Sequence, residues 1–155
     1  MKRFLLLSAC VSCFTMLTLA QAKYVFYFIG DGMGPNQVLA AEMYQAELEG
    51  RIGRVPLLMT QFPVVGMTPT FSLSNAITDS SAAGTCLASG QKTNNGMIGQ
   101  TPDGTPTVSI ATKLHSEGWG IGIVTTVPID HATPSPFYAH TPSRDDYYAI
   151  GRQLA

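Results

Sequence analysis

Charged side chains are scarce in this sequence. Only 12% of the 155 residues are Asp, Glu, Lys or Arg, and the formal net charge at pH 7 is −1. Proteins that bind nucleic acid carry an excess of basic residues on one surface, so this balance argues against a nucleic-acid partner. Any anion-binding site must therefore be formed by a few residues and not by a basic surface. Hydrophobic residues make up 45% of the chain, which predicts one globular core rather than disorder.

The amino terminus has the pattern of a targeting segment. Lys2-Arg3 precede an apolar run over residues 4–19, and Ala20-Gln21-Ala22 forms a small-x-small cleavage site. We therefore expect residues 1–22 to be a signal peptide and the product to be exported, to the periplasm or outside the cell. A membrane helix is the less favoured interpretation, since no stop-transfer flank follows and we expect no stable membrane insertion after cleavage.

Cysteine is also rare, with three in the whole chain. Cleavage after Ala22 would remove Cys10 and Cys13, leaving Cys86 alone and excluding an intramolecular disulfide in the mature segment. The sequence Leu7-Ser8-Ala9-Cys10 leaves lipoprotein processing as a minority alternative, although the apolar run before it is very short.

The alternation of apolar runs with helical patterns predicts an α/β fold. Two runs rich in β-branched and aromatic residues, 24–29 and 119–127, lack polar alternation, which is typical of strands covered on both faces of a parallel sheet. Residues 64–68 are predicted to form a further short strand. Helical patterns follow Asn36, Asp79 and Pro106 and end near Gly50, Ser89 and Gly118. We expect an α/β/α sandwich with a mostly parallel central sheet.

The first predicted helix has an apolar stripe, formed by Val38, Leu39, Met43, Ala46 and Leu48. The dense turn signals between Lys92 and Pro106 predict a surface loop.

Asp31 follows the first predicted strand within Gly30-Asp31-Gly32-Met33-Gly34. Flanking glycines permit a sharp turn and close ligand approach, so Asp31 is a candidate metal ligand at the carboxyl end of a strand. The alternative is a Gly-rich turn capped by the aspartate. A dinucleotide site is rejected, because the spacing is not Gly-x-Gly-x-x-Gly.

Thr78-Asp79-Ser80-Ser81 stands at the start of a run of small residues. Such a helix start presents unpaired N–H groups that attract anions, which makes Ser80 a candidate nucleophile and Asp79 a candidate partner for a cation. Ser81 is the competing nucleophile. The simpler alternative is that Asp79 or Ser80 only caps the helix.

A polar loop follows the third predicted strand and contains His131 and Thr133, with Arg144 beyond it. The predicted topology places this loop at the same sheet edge as Asp31. Taken singly, His131 is more often a satisfied polar residue, and Arg144 a surface charge.

Four motifs in order resemble the alkaline phosphatase family. They are Gly30-Asp31-Gly32-Met33-Gly34, Thr78-Asp79-Ser80 with Gly90-Gln91-Lys92-Thr93, His131-Ala132-Thr133-Pro134 and Ser143-Arg144. The resemblance implies hydrolysis of phosphate monoesters through a phosphoserine at Ser80, with Arg144 binding two phosphoryl oxygens and Asp79 holding the arginine. A purely structural secreted domain would require these motifs to be coincidence.

The resemblance also implies two Zn²⁺ ions and one Mg²⁺ ion. By this resemblance Asp31 would be the carboxylate that bridges zinc and magnesium, Ser80 would face the zinc ions, and Thr133 would supply a hydroxyl to magnesium. His131 stands where family members have aspartate or histidine, and it is a candidate for tuning the magnesium site. We expect Asp31, Ser80 and Thr133 to converge, with Arg144 directed toward Ser80 and Asp79 beside its guanidinium.

The resemblance covers residues 23–155, which correspond to the amino-terminal part of the longer family domain. Beyond the predicted signal peptide the chain contains only His115, His131 and His140, too few imidazoles for two closed zinc sites. We therefore expect a truncated chain that is inactive alone, and a homodimer when full length. The alternative function is a non-catalytic fragment with residual metal or phosphate binding.

Overall fold

The computed structural model describes residues 22–154. All of the predicted signal peptide except Ala22 lies outside the described residues. The chain divides into two units, Met1–Gly30 and Asp31–Ala155. In the first unit, the described residues 22–30 form no helix or strand. Every candidate site residue belongs to the second unit.

The second unit contains four α-helices in its described part. They are α1 (Pro35–Leu48), α2 (Ser80–Ser89), α3 (Ile110–Ser116) and α4 (Tyr147–Gly151). Short 3₁₀ helices cover Leu58–Gln61, Ser135–Phe137 and Arg152–Leu154. No helix within residues 22–154 combines the length and apolar character that a membrane span needs.

The predicted central sheet is not confirmed. Across residues 22–154 the extended pairing is limited to isolated antiparallel bridges, Ile98 with Thr141 and Gln100 with Pro106. The expectation that residues 24–29 and 119–127 form buried strands is wrong, since Phe28 and Val124 are 86% and 98% exposed. Strand propensity describes how well a side chain fits a pleated surface, and tertiary pairing must supply that surface.

Helix α1 begins two residues earlier than its sequence suggested. Gly34 rather than Asn36 is the N-cap, because Pro35 is pre-organised for the first helical position, and the Gly34 N–H donates to Gln37 Oε1 at 3.1 Å. The helix ends as expected before Gly50, which has a φ of +65°.

The apolar stripe of α1 does not form a buried face. Glu42 and Ala46 are its buried residues, whereas Leu39, Met43 and Leu48 are exposed. The side of α1 that is covered is the one that carries a carboxylate, which hydrophobic periodicity does not detect.

Glu42 links helix α1 to residues 54–60 through hydrogen bonds. Its carboxylate accepts hydrogen bonds from Thr60 Oγ1 at 2.6 Å, Arg54 Nη1 at 2.7 Å and the Leu57 N–H at 3.0 Å. These bonds, led by the one from Thr60, lower the pKa of Glu42 to about 2, although its side chain is only 2% exposed. A buried carboxylate is tolerated here because donors satisfy it.

Helix α2 packs closely against the loop that contains the 3₁₀ helix Ser135–Phe137. At Gly84, a β-carbon would stand 3.0 Å from Pro136 Cγ and 3.3 Å from the Thr133 carbonyl oxygen. The missing side chain therefore allows the helix to approach this loop, and it sets the distance between α2 and Thr133.

Residues 98–100 extend the core beyond α2. Ile98 packs with Ala139 and Ile150, and all three are fully buried. Thr85 Oγ1, on α2, accepts a hydrogen bond from the Gly99 N–H at 2.9 Å. The expectation that 92–106 is a surface loop is therefore wrong in its central part, because these residues link α2 to the chain that leads to α4.

Candidate active site

The Asp31 carboxylate accepts hydrogen bonds from two hydroxyl groups that are distant in the sequence. Its Oδ2 atom accepts a hydrogen bond from Ser80 Oγ at 2.9 Å and from Thr133 Oγ1 at 2.8 Å. These partners lie 49 and 102 residues away along the chain. The expected convergence of the three side chains is thus observed, although their common point is one carboxylate oxygen rather than the edge of a sheet.

The local sequence explains how Ser80 is presented. Asp79 has extended backbone dihedrals and is the N-cap of α2, with Oδ1 accepting from the Ala82 N–H at 2.9 Å. Ser80 is consequently the first residue of the helix. Gly90, with a φ of +74°, ends the helix in the left-handed conformation that favours glycine. The capping alternative is correct for Asp79, and it leaves the Ser80 side chain available to Asp31.

Ser81 occupies a different environment from Ser80. It is fully buried, and its Oγ donates to Asp79 Oδ2 at 2.7 Å while accepting from the Gly96 N–H at 3.1 Å. A hydroxyl enclosed in this way cannot meet a substrate, so the geometry favours Ser80 over Ser81 as the nucleophile candidate.

Arg144 lies beside Asp79. Its Nη1 atom stands 3.2 Å from Asp79 Oδ2, and the two side chains are 27% and 22% exposed. Burial raises the pKa of Asp79, but the hydrogen bonds from Ala82, Ser81, Gly96 and Arg144 outweigh it, so the net pKa is lowered. Asp79 is therefore held as a carboxylate that fixes the guanidinium.

Sequence reasoning predicted a turn at Asn94-Asn95-Gly96 but missed its contact with the candidate site. The Gly96 N–H donates to Asp79 Oδ2 at 2.9 Å, and Asn95 Oδ1 accepts from the Asp79 N–H at 3.1 Å. The Asn95-Gly96 dipeptide was recognisable as a turn, and Gly96 has the positive φ, +88°, expected there. Nothing in the local pattern indicated that this turn contacts the start of α2.

His131 is next to Thr133 in the loop, yet its ring is not part of the hydrogen-bonded cluster. Its Nδ1 atom is buried and has no hydrogen-bond partner among residues 22–154, and its backbone N–H donates to the Pro128 carbonyl at 2.9 Å. His140, by contrast, is tied to the Gly99 carbonyl through Nδ1. That contact gives His140 a structural role.

The described part of the chain brings its polar groups together in two adjoining clusters. One joins Asp31, Ser80 and Thr133, and the other joins Asp79 with Arg144. Within residues 22–154 no three His, Cys, Asp or Glu side chains come close enough together to hold a metal ion. The first cluster offers three oxygen donors, the ligand type that magnesium prefers.

Comparison with known proteins gives a consistent result. The family model for alkaline phosphatase matches residues 22–153. The chain is similar to the tissue-nonspecific alkaline phosphatase of Gallus gallus, with 37% identity over 137 residues, which are 81% of this chain and 26% of that protein.

Solved structures agree on the fold. A cold-active alkaline phosphatase from Shewanella sp. superposes with a TM-score of 0.74 and 32% identity, over 81% of this chain and 32% of the other. A mutant of TAB5 alkaline phosphatase with Mg bound in its M3 site superposes with a TM-score of 0.63 and 30% identity, over 74% of this chain and 32% of the other.

These matches support an alkaline-phosphatase-like fold for the described residues. The chain spans about a quarter to a third of the length of these relatives. The match of the family model over nearly the whole chain establishes that it belongs to the alkaline phosphatase family.

Proposed function

We propose that the protein hydrolyses phosphate monoesters, with Ser80 as the nucleophile that forms a phosphoserine intermediate. The observation that carries this proposal is the pair of hydrogen bonds on Asp31 Oδ2, from Ser80 and from Thr133. A serine at a helix start, facing a carboxylate and a second hydroxyl, has the surroundings that an ion-activated nucleophile requires. Members of the family are named for phosphatase activity, which supports the reaction class.

In this proposal Arg144 binds two oxygens of the phosphoryl group. A guanidinium donates two parallel hydrogen bonds to a phosphate and stays charged at all relevant pH values. The contact between Arg144 Nη1 and Asp79 Oδ2 supports this role, because it restrains the guanidinium next to the residue that precedes Ser80. Asp79 thereby acts on the substrate through the arginine.

We further propose that two zinc ions and one magnesium ion take part. Asp31 and Thr133 would contribute oxygen ligands to magnesium, and Asp31 and Ser80 would contribute to zinc. These oxygen donors suit magnesium, whereas zinc also favours imidazole nitrogen. The Nδ1 atom of His131 is buried and has no hydrogen-bond partner among the described residues, which makes His131 a candidate for orienting the magnesium ligands. When bound, such ions lower the pKa of a coordinated hydroxyl and stabilise the leaving oxygen.

The test compares Ser80→Ala with the intact protein in the hydrolysis of a chromogenic phosphate ester, with zinc and magnesium added. We expect turnover to fall by at least about 10³-fold, because the nucleophile is removed. Ser89→Ala is the matched control, since Ser89 is at the other end of α2 and donates to the Thr85 carbonyl. Wild-type turnover by Ser80→Ala would refute the proposal, as would failure to trap a phosphoserine by acid quenching.

The alternative function is residual metal or phosphate binding without catalysis. It is supported by the oxygen atoms of Asp31, Ser80 and Thr133, which meet in one cluster and could bind a cation without catalysis. Zinc bound per chain distinguishes the two functions. Catalysis requires about two tightly bound zinc ions per active site, and the alternative predicts weak binding well below that ratio.

We also propose that the protein is exported after removal of residues 1–22, and that the full-length enzyme is a homodimer. The export proposal rests on the basic, apolar and small-residue pattern of the amino terminus. Sequencing the amino terminus of the mature product tests it, with Lys23 expected as the first residue. A product that starts at a lipid-modified Cys10 would support the lipoprotein alternative instead.

A further inference from the structure

The turn over residues 94–97 contacts the chain just before the proposed nucleophile. Asn95 Oδ1 accepts a hydrogen bond from the Asp79 N–H at 3.1 Å, and Asn95 Nδ2 donates to the Ile77 carbonyl at 3.1 Å. The oxygen and the nitrogen of one amide side chain therefore bond to the backbone of Asp79 and of Ile77, in the short segment that leads into α2. Since this segment sets where α2 begins, Asn95 fixes the position of the N-cap.

The next residue contacts the proposed phosphate-binding arginine as well. The Gly96 N–H donates to Asp79 Oδ2 at 2.9 Å, and the Gly96 carbonyl accepts from the Arg144 N–H at 2.7 Å. Helix α4 begins only at Tyr147, so helical hydrogen bonds do not hold the backbone of Arg144. The bond to Gly96 supplies that anchor.

We propose that the turn formed by Asn95 and Gly96 is a positioning element that sets Arg144 relative to the start of α2. The inference rests on the proposed function, in which Arg144 binds the phosphoryl oxygens. Neither Asn95 nor Gly96 contacts the substrate in this scheme, so they are positioning residues. Oriented groups lose efficiency steeply when they are misplaced by a fraction of an ångström, and a backbone anchor limits such displacement better than a flexible side chain.

The partial burial of the contacts makes this role effective. The side chains of Arg144 and Asp79 are 27% and 22% exposed, which limits competition from water for their hydrogen bonds. Gly96 has a φ of +88°, a conformation in which its N–H and carbonyl bond to two different segments. The main-chain atoms of Gly96 thus connect the Asp79 carboxylate to the backbone of Arg144.

The first experiment measures Asn95→Ala in the intact protein, with zinc and magnesium, using a chromogenic phosphate ester. We expect kcat/KM to fall about tenfold and the inhibition constant for inorganic phosphate to rise by a similar factor. A purely structural defect would reduce the active fraction and the apparent kcat but leave the inhibition constant unchanged. Asn94→Ala is the matched control, because its backbone carbonyl, which accepts from Met97, survives the substitution.

The second experiment is a double-mutant cycle with Arg144→Ala. If the turn acts through Arg144, Asn95→Ala changes kcat/KM by less than about twofold in the Arg144→Ala background. A further tenfold loss in that background would overturn the inference, since it would mean that the turn acts on Ser80 directly. Asn95→Ser is carried through the same cycle, so that the comparison stands even where Asn95→Ala does not fold.

Ser80→Ala separates this inference from the function on which it rests. Undiminished turnover by Ser80→Ala would remove the proposed function itself. Loss of turnover in Ser80→Ala, together with an unchanged phosphate inhibition constant in Asn95→Ala, would overturn only the positioning role. Loss in Ser80→Ala with a raised inhibition constant in Asn95→Ala and coupling to Arg144 would support both.

Discussion

Gly99 is the position at which the structure predicts the largest effect of a single methyl group. Its φ is +60°, and a β-carbon built there would stand 2.1 Å from the Ala139 carbonyl oxygen and 2.8 Å from His140 Nδ1. The residue is also fixed on both sides, because its N–H donates to Thr85 Oγ1 at 2.9 Å and its carbonyl accepts from the Thr107 N–H at 2.8 Å. The segment therefore has little room to move when Gly99 is replaced by alanine.

The expected loss of unfolding free energy in Gly99→Ala is the sum of three contributions. A non-glycine residue in the left-handed region costs roughly 1–2 kcal/mol. Overpacking typically costs about 1–3 kcal/mol, and a contact of 2.1 Å with a backbone atom is severe. Displacing the segment would also weaken its hydrogen bonds, at about 1 kcal/mol each. We expect Gly99→Ala to lower the free energy of unfolding by about 3–5 kcal/mol, a large share of the total for an ordinary domain.

The measurement is urea unfolding of the purified protein followed by the fluorescence of Trp119, with Gly104→Ala as the matched control. Gly104 has a φ of +86°, but no heavy atom of residues 22–154 outside its chain neighbours lies within 4 Å of a β-carbon there. Gly104→Ala therefore carries only the backbone cost of roughly 1–2 kcal/mol. Equal losses in the two variants would refute the argument that close approach of residue 99 to Ala139 determines the effect.

Two further predictions concern packing and pH. The pKa of Glu42, about 2, lies below its ordinary value of 4.5, so its contribution to stability is present above pH 4.5 and is lost as the pH falls toward 2. Urea midpoints across this range should fall more steeply for the wild type than for Glu42→Gln, and equal slopes would contradict this. Gly84→Ala should be less stable than Gly151→Ala by about 1–3 kcal/mol in thermal melts, because both gain helix propensity but only residue 84 meets Pro136. Equal stability of these two variants would contradict this, since it would mean that the loop containing Thr133 can move away from residue 84 with no loss of stability.

The sequence by itself determined the parts of the structure that depend on neighbouring residues. Helix α2 begins and ends where its pattern predicted, because Asp79 caps it and Gly90 closes it, and both interactions are formed within a few residues. The four motifs also identified the family, and they selected Asp31, Ser80 and Thr133, whose side chains meet in the structure.

Tertiary structure alone decided what lies between these motifs. Hydrophobic periodicity predicted a buried stripe on α1, but the covered side carries Glu42, whose partners come from a separate segment. Strand propensity predicted a sheet, but strands need partners that propensity does not specify. The contacts of Asp79 with Asn95, Gly96 and Arg144 join residues 16 to 65 positions apart, so no local pattern encodes them. Long-range contacts of this kind depend on how segments meet in space, which is fixed only when the chain folds.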